Sequence, residues 1–257
     1  MPKFRVSTGK PGETPDEVVA PDWAKALTNV LGRFGVGKQA IRVDVNKEGT
    51  TELWEEDSGI HYRMDIDPDT SFDLGDDPTT DLWDAPTPGS GFSQAATPTM
   101  EDQGRIDVQI ASILQAPTLD AAYEQALTLL LTHIPAESGS ILIVSGEDLH
   151  FVCVHGPKAE QLTGRSMSAS DGIAGAVCQS QSALLIRGVR KNPQHYRDVD
   201  RDVNHVTLTL LAVPIVHDEH TIGVIELLNP LGSDTFTGWH QNFTRSVCET
   251  LGSRLSQ

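Results

Sequence analysis

The chain has 257 residues, with 19 Lys and Arg against 36 Asp and Glu, a formal net charge of -17 and a sequence pI of about 4.7. Such a charge repels nucleic-acid phosphates and anionic lipid surfaces, so neither a nucleic-acid nor a membrane partner is expected. The Met1 end has no apolar signal-peptide core, apolar runs such as Leu210–Val216 fall far short of the ~20 residues that span a bilayer, and three cysteines (Cys153, Cys178 and Cys248) imply no disulfide framework, which together predict a cytoplasmic protein.

Residues 1–67 read as a small α+β domain. Phe4 and Val6, then Ile41, Val43 and Val45, then Tyr62, Met64 and Ile66 alternate with polar neighbours. That period of two predicts strands with one buried face. Trp23, Leu27, Val30, Leu31 and Phe34 recur at helical spacing, and Gly35 and Gly37 are placed to end that helix. Thr14-Pro15-Asp16-Glu17 has the pattern of a capping box and predicts a short helical turn before Pro21. The expected order is β-α-β-β-β, one helix over one face of an antiparallel sheet. A core of this size is marginal and leans on a partner surface.

Residues 68–104 differ in kind. No Lys or Arg occurs between Arg63 and Arg105, whereas Asp and Glu occur ten times. The little apolar surface available cannot offset chain entropy, so a disordered acidic linker is predicted. Phe72, Leu74, Leu82, Trp83 and Phe92 within it are either incidental or a docking motif for a basic partner.

Residues 105–257 form the main domain. Ile106, Ile110 and Ile113 predict an opening helix, and Leu119 to Leu130 a second. Strands are expected at 140–144 and 149–154, across a turn containing Gly146, and at 183–186. Between the first pair and the last lies a short helix over 172–179. Two apolar strands, 208–216 and 221–228, flank the polar turn His217–His220, and Phe243, Val247, Leu251 and Leu255 mark a closing helix. The segment Arg187 to Thr207 interrupts these apolar strands with a concentration of His, Arg, Asp and Asn. It is either a solvated loop or a lid over a ligand pocket.

Several short motifs occur together and in order: Ala136-Glu137-Ser138-Gly139-Ser140-Ile141, Asp171-Gly172-Ile173-Ala174-Gly175-Ala176-Val177, Asn192-Pro193-Gln194-His195-Tyr196-Arg197-Asp198, Leu210-Leu211-Ala212-Val213-Pro214-Ile215 and Ile222-Gly223-Val224-Ile225-Glu226-Leu227-Leu228-Asn229. In that order they resemble the GAF domain, a small-molecule-binding and dimerisation module of signalling proteins, over about 106–255. The resemblance implies an antiparallel sheet with helices on both sides and a pocket beside it. It names no cofactor, because this fold serves many ligands or none. Candidate ligand contacts are Arg187, Asn192, His195, Tyr196, Arg197, Asp198, Asn204, Thr207 and Glu226. Cyclic-nucleotide-binding members resemble this chain at Asn229 and Phe236. However, Pro230 stands where they carry Lys, and His240-Gln241 replace their Asp-Glu, so their ion pair cannot form.

Other motifs read as structure. Gly32-Arg33-Phe34-Gly35-Val36-Gly37-Lys38 resembles a phosphate loop but ends a helix instead of opening one. His217-Asp218-Glu219-His220 is a hairpin turn, not a metal site. The expected protein is therefore a cytoplasmic, non-enzymatic regulator whose GAF-like domain senses a small molecule or dimerises through the Ile106–Ile113 and Phe243–Leu255 helices. Residues 1–104 would face a protein partner. The alternatives are an interaction scaffold with an empty pocket and a GAF-type thiol reductase using Cys153 and Cys178.

Overall fold

A computed structural model describes residues 3–8, 14–33, 40–45, 50–55, 59–66, 100–187 and 208–257. The N-terminal part contains β1 (Lys3–Ser7), β2 (Asp16–Val19), α1 (Trp23–Leu31), β3 (Ala40–Val45), β4 (Thr51–Glu55) and β5 (His61–Ile66). The expected helical turn at Thr14–Glu17 is instead the start of β2, which pairs antiparallel with β1 from Lys3↔Val19 to Val6↔Asp16. The β-branched Val18 and Val19 explain the outcome: Val18 is buried in the core, which one turn of helix could not achieve. Asp22 caps α1 by accepting from the Lys25 amide at 2.8 Å, and Gly32 closes it, earlier than Gly35. Trp23 is buried, its indole Nε1 donating to Thr51 Oγ1 at 2.9 Å.

The remainder contains α2 (Met100–Ser112), a 3-10 turn (Ile113–Gln115), α3 (Leu119–His133), β6 (Ala136–Ser145), β7 (Asp148–His155), α4 (Ala159–Leu162), β8 (Ser166–Ser168), α5 (Gly172–Ser180), β9 (Ala183–Arg187), β10 (Thr209–His217), β11 (His220–Pro230) and α6 (Gly238–Leu255). The opening helix begins at Met100, within the stretch assigned to the linker on composition.

All eleven strands belong to one sheet, in the order β2-β1-β5-β4-β3-β9-β10-β11-β6-β7-β8. The two parts of the chain therefore meet through strand pairing. β3 lies parallel to β9, from Ala40↔Ala183 to Asp44↔Arg187. It is the one parallel pairing among the described strands; the others are antiparallel.

Each face of the sheet carries its own core, because alternate residues of a strand point to opposite sides. On the first face, α1 and α5 cover Phe4, Ile41, Val43, Leu53, Leu184, Ile186, Leu210, Ala212 and Val224. On the second, α2, α3 and α6 cover Ile141, Leu185, Leu211, Val213, Ile215, Ile225 and Leu227. The first core is continuous from β1 to β11, so the N-terminal part buries its apolar face together with α5 and not alone. The entry to α5 is tight. Gly172 has φ +63°, and a Cβ at Gly175 would lie 2.7 Å from the carbonyl carbon of Ser170, so both turns of this Gly-Ile-Ala-Gly segment need glycine.

Candidate functional site

Register across the sheet places Glu226 in a row that is otherwise uncharged from β3 to β7; the next member, Glu55 on β4, is a second buried carboxylate four strands away. Ile41, Leu184, Ala212, Glu226, Ser140 and Val154 face one another in turn on β3, β9, β10, β11, β6 and β7. Glu226 shares the first face with Val224, its neighbour two residues away, and with Leu210 and Leu142 on the flanking strands. Its immediate cross-strand neighbours, Ala212 and Ser140, are small. Over this face lies α5, which packs Ile173, Ala174, Ala176 and Val177 into the same core.

Glu226 is partly buried and makes no hydrogen bond or ion pair among the described residues. No charged side chain of β6, β10, β11 or α5 joins it on this face; the titratable groups described there are Cys178 of α5 and, farther along the sheet, Tyr62 and the buried Glu55. Loss of water without a compensating partner pushes its pKa up to about 7. At neutral pH it sits between its two protonation states, able to donate as an acid or to hold a cation as an anion.

The other described candidate, Arg187, does not join it. Arg187 pairs with Thr209, in the register that carries Leu211 and Val213 into the second core. Its Nε donates to Thr235 Oγ1 at 2.8 Å and lies 4.0 Å from Asp44. Arg187 thus ties β9 to the segment before α6 and to β3. Asn192, His195, Tyr196, Arg197, Asp198, Asn204 and Thr207 lie outside the described residues.

Three positions compared with the cyclic-nucleotide motif, the matching Asn229 and Phe236 and the departing His240, have structural work here. Asn229, at φ 53°, accepts from the amides of Leu208 and Thr209 at 2.8 and 3.3 Å and donates to Glu137 Oε2 at 2.7 Å. It fastens the start of β10 to the ends of β11 and β6. His240 sits three residues into α6. Thr237 Oγ1 accepts from the His240 amide at 3.3 Å, and His240 Nδ1 accepts from the Thr237 amide at 3.1 Å. A capping box thus forms with His in place of an acidic residue. Burial lowers the His240 pKa, consistent with a neutral ring that accepts at Nδ1. Phe236 is fully buried and packs edge-on to His240, with ring centroids 5.9 Å apart.

The remaining candidates have plain positions. In the turn between β10 and β11, Asp218 and Glu219 have φ 46° and 63°, as a tight hairpin requires, and His220 Nδ1 bonds to the Asp218 carbonyl at 2.6 Å. No group of three His, Cys, Asp or Glu among the described residues could hold a metal ion. Cys153 packs in the second core and Cys178 in the first, so the sheet separates them. Burial raises the pKa of both thiols. Ile106, Ile110, Ile113, Phe243, Val247 and Leu251, the apolar stripes of the first and last helices, are buried within the chain. Outside them, Val108 is 71% exposed on α2, and a shallow groove of about 500 Å³ runs between α2 and α3, lined by Gln109, Ser112, Glu124, Gln125, Thr128 and Thr132.

The arrangement of a helix-flanked antiparallel sheet with a glycine-bracketed α5 is that of a GAF domain. The family model for the GAF domain matches residues 118–255, more than half of the chain, and the protein belongs to this family. Among solved structures it is similar to the GAF domain of a phosphoenolpyruvate-protein phosphotransferase from Coxiella burnetii, at 16% identity and a TM-score of 0.54, covering 61% of this chain and 94% of that one. The corresponding domain from Acinetobacter gives 16% identity and a TM-score of 0.52, covering 60% and 92%. Free methionine-R-sulfoxide reductase from Neisseria meningitidis, solved with its substrate, gives 15% identity and a TM-score of 0.51, covering 63% and 93%. At these identities the likeness is one of fold. Among the described residues, no helix is long and apolar enough to cross a membrane.

Proposed function

We propose that this protein is a non-enzymatic cytoplasmic regulator whose GAF domain binds a small molecule on the α5 face of the sheet, against Glu226. One observation carries the reading: an ionisable side chain stands without a partner, between two small neighbours, in the middle of an apolar wall. Leaving a carboxyl there costs stability, and the fold gains nothing from it, so a ligand is its natural use. The separation of Cys153 from Cys178 weighs against thiol chemistry shared between them. In this reading residues 1–104 face a protein partner. The outer face of β3, β4 and β5 supports that role: Arg42 lies over the Trp54 ring at 4.5 Å, and Trp54 stacks on His61 with centroids 4.9 Å apart.

Thermal denaturation across a metabolite collection tests the proposal. A ligand at 100 times its dissociation constant adds about 2.7 kcal/mol of stability. Sensing is abandoned if no nucleotide, oxo acid, amino acid, amine or tetrapyrrole raises the melting temperature. The groove between α2 and α3 and the exposed Val108 then favour a second reading, an interaction scaffold that assembles, as a homodimer, through the outward faces of its terminal helices.

A further inference from the structure

The surroundings of Glu226 restrict what can sit there. Ala212 and Ser140 flank it across the sheet, Val224 and Leu228 follow the strand on the same side, and α5 contributes Ile173, Ala174 and Val177. None of these carries a charge. An anionic ligand would meet the ionised carboxyl as a like charge with no described cation to offset it, and so would bind only the protonated form. A neutral ligand would find two hydrogen-bonding groups, the carboxyl and the Ser140 hydroxyl, and otherwise hydrocarbon. A cation would convert an unpaired carboxyl into an ion pair with charge-assisted hydrogen bonds, the strongest class available in a low-dielectric site. The net charge of -17 acts in the same direction at longer range, by drawing cations towards the molecule.

We propose that the ligand held against Glu226 is an organic cation: a protonated amine, guanidinium or amidinium on a compact apolar body. This rests on the α5 face being the binding face, and it adds the chemical class of the ligand. The carboxylate pairs with the ligand's N–H donors, while Ala212, Val224 and the apolar side of α5 take its hydrocarbon part. Ser140, 6% exposed and directly across from Glu226, offers a second polar contact.

Charge-matched probes on the full chain provide the test. Benzylamine, benzamidine and agmatine are compared with benzoate, benzyl alcohol and adipate at neutral pH, by thermal shift and by calorimetry. The expected result is that cationic probes bind at least tenfold more tightly than the anion or alcohol of the same skeleton. Glu226→Gln, which keeps the shape and removes the charge, should lose that preference while its circular dichroism stays unchanged. Calorimetry in two buffers of different ionisation enthalpy should show proton release on binding near pH 6.5, because the cation holds Glu226 ionised, and no release in the variant. Binding confined to anions or neutral probes, or equal cation binding by Glu226→Gln, overturns the cation assignment and leaves ligand sensing standing. Absence of binding by probes of every charge, in this set and across the metabolite collection, overturns both.

Discussion

Arg187 and Glu226 project from opposite faces of the same sheet. Arg187 hydrogen-bonds Thr235 beside the second core, whereas Glu226 sits between Ala212 and Ser140 on the first. They therefore cannot hold opposite ends of one small molecule. Whatever binds on the α5 face meets Glu226 without Arg187, and Arg187 is left to brace β3 and β9.

The first prediction concerns that carboxyl. Its folded pKa, about 7, is above the ordinary value of 4.5. Between those limits the folded chain keeps a proton that the unfolded chain has lost, so stability falls as pH rises through this window and the loss is complete above it. Glu226→Gln should stabilise the protein by on the order of 1–3 kcal/mol at pH 8 and change it little at pH 5. Urea denaturation at the two pH values decides. An equal gain at both would mean that ionisation is not the cause.

His240 has the opposite sense. Its folded pKa is lowered, so as pH falls through the ordinary 6.5 the unfolded chain takes up a proton that the folded chain refuses, and stability falls. Protonation also removes the Nδ1 acceptor and places positive charge at a helix N-terminus. His240→Ala should cost about 1 kcal/mol at pH 7.5. His240→Glu, which restores an acidic capping box, should hold its melting temperature better than the native protein between pH 7 and pH 5.5. A parallel decline in both proteins would remove the cap from the explanation.

The junction of β3 with β9 should make the two parts of the chain unfold together. Ile41 and Leu184 face each other across it and are both fully buried. Ile41→Ala and Leu184→Ala should each cost about 2–4 kcal/mol. The double variant should lose measurably less than the sum, because the two side chains share one contact. Amide exchange in β1 and in β10 should then accelerate to the same extent. Acceleration confined to β1 would show two independently unfolding bodies.

The cysteines give a chemical prediction. Disulfide formation needs Cβ atoms within about 4.5 Å, and Cys153 and Cys178 have a sheet between them. Mild oxidation should produce no internal cross-link, as read by mass spectrometry of the intact chain. Cys153→Ser and Cys178→Ser should both keep native-like thermal stability and any ligand response. A Cys153–Cys178 disulfide in the folded protein would contradict the strand register.

The sequence made the apolar elements plain because their signals are local. The continuous apolar run Leu210–Val216 and the helical spacing of Phe243, Val247 and Leu251 can each be read within a dozen residues, and the structure has that strand and that helix. Asp16–Val19 was misread because Thr-Pro-Asp-Glu is also a helix-start pattern, and only pairing with β1 decides between the two. The junction of Ile41 with Leu184 left no local trace, since strand pairing across so much chain depends on which edges are free. The candidate site was legible as a list of polar residues. Its geometry was not, because sorting Arg187 from Glu226 needs the register of β9, β10 and β11 together. The small size of Ala212 and Ser140 on either side of Glu226 is conspicuous only once that register is known.

The pairing of β3 with β9 also determines how this protein can be dissected. A fragment comprising residues 100–257 would keep every element of the GAF domain but strip the cover from β9, leaving a row of open backbone donors and acceptors beside Ala183–Arg187. Bare strand borders of this kind recruit other strands. Such a fragment would self-associate through β9, and an assembly state measured on it would report the exposed border and not the behaviour of the intact chain.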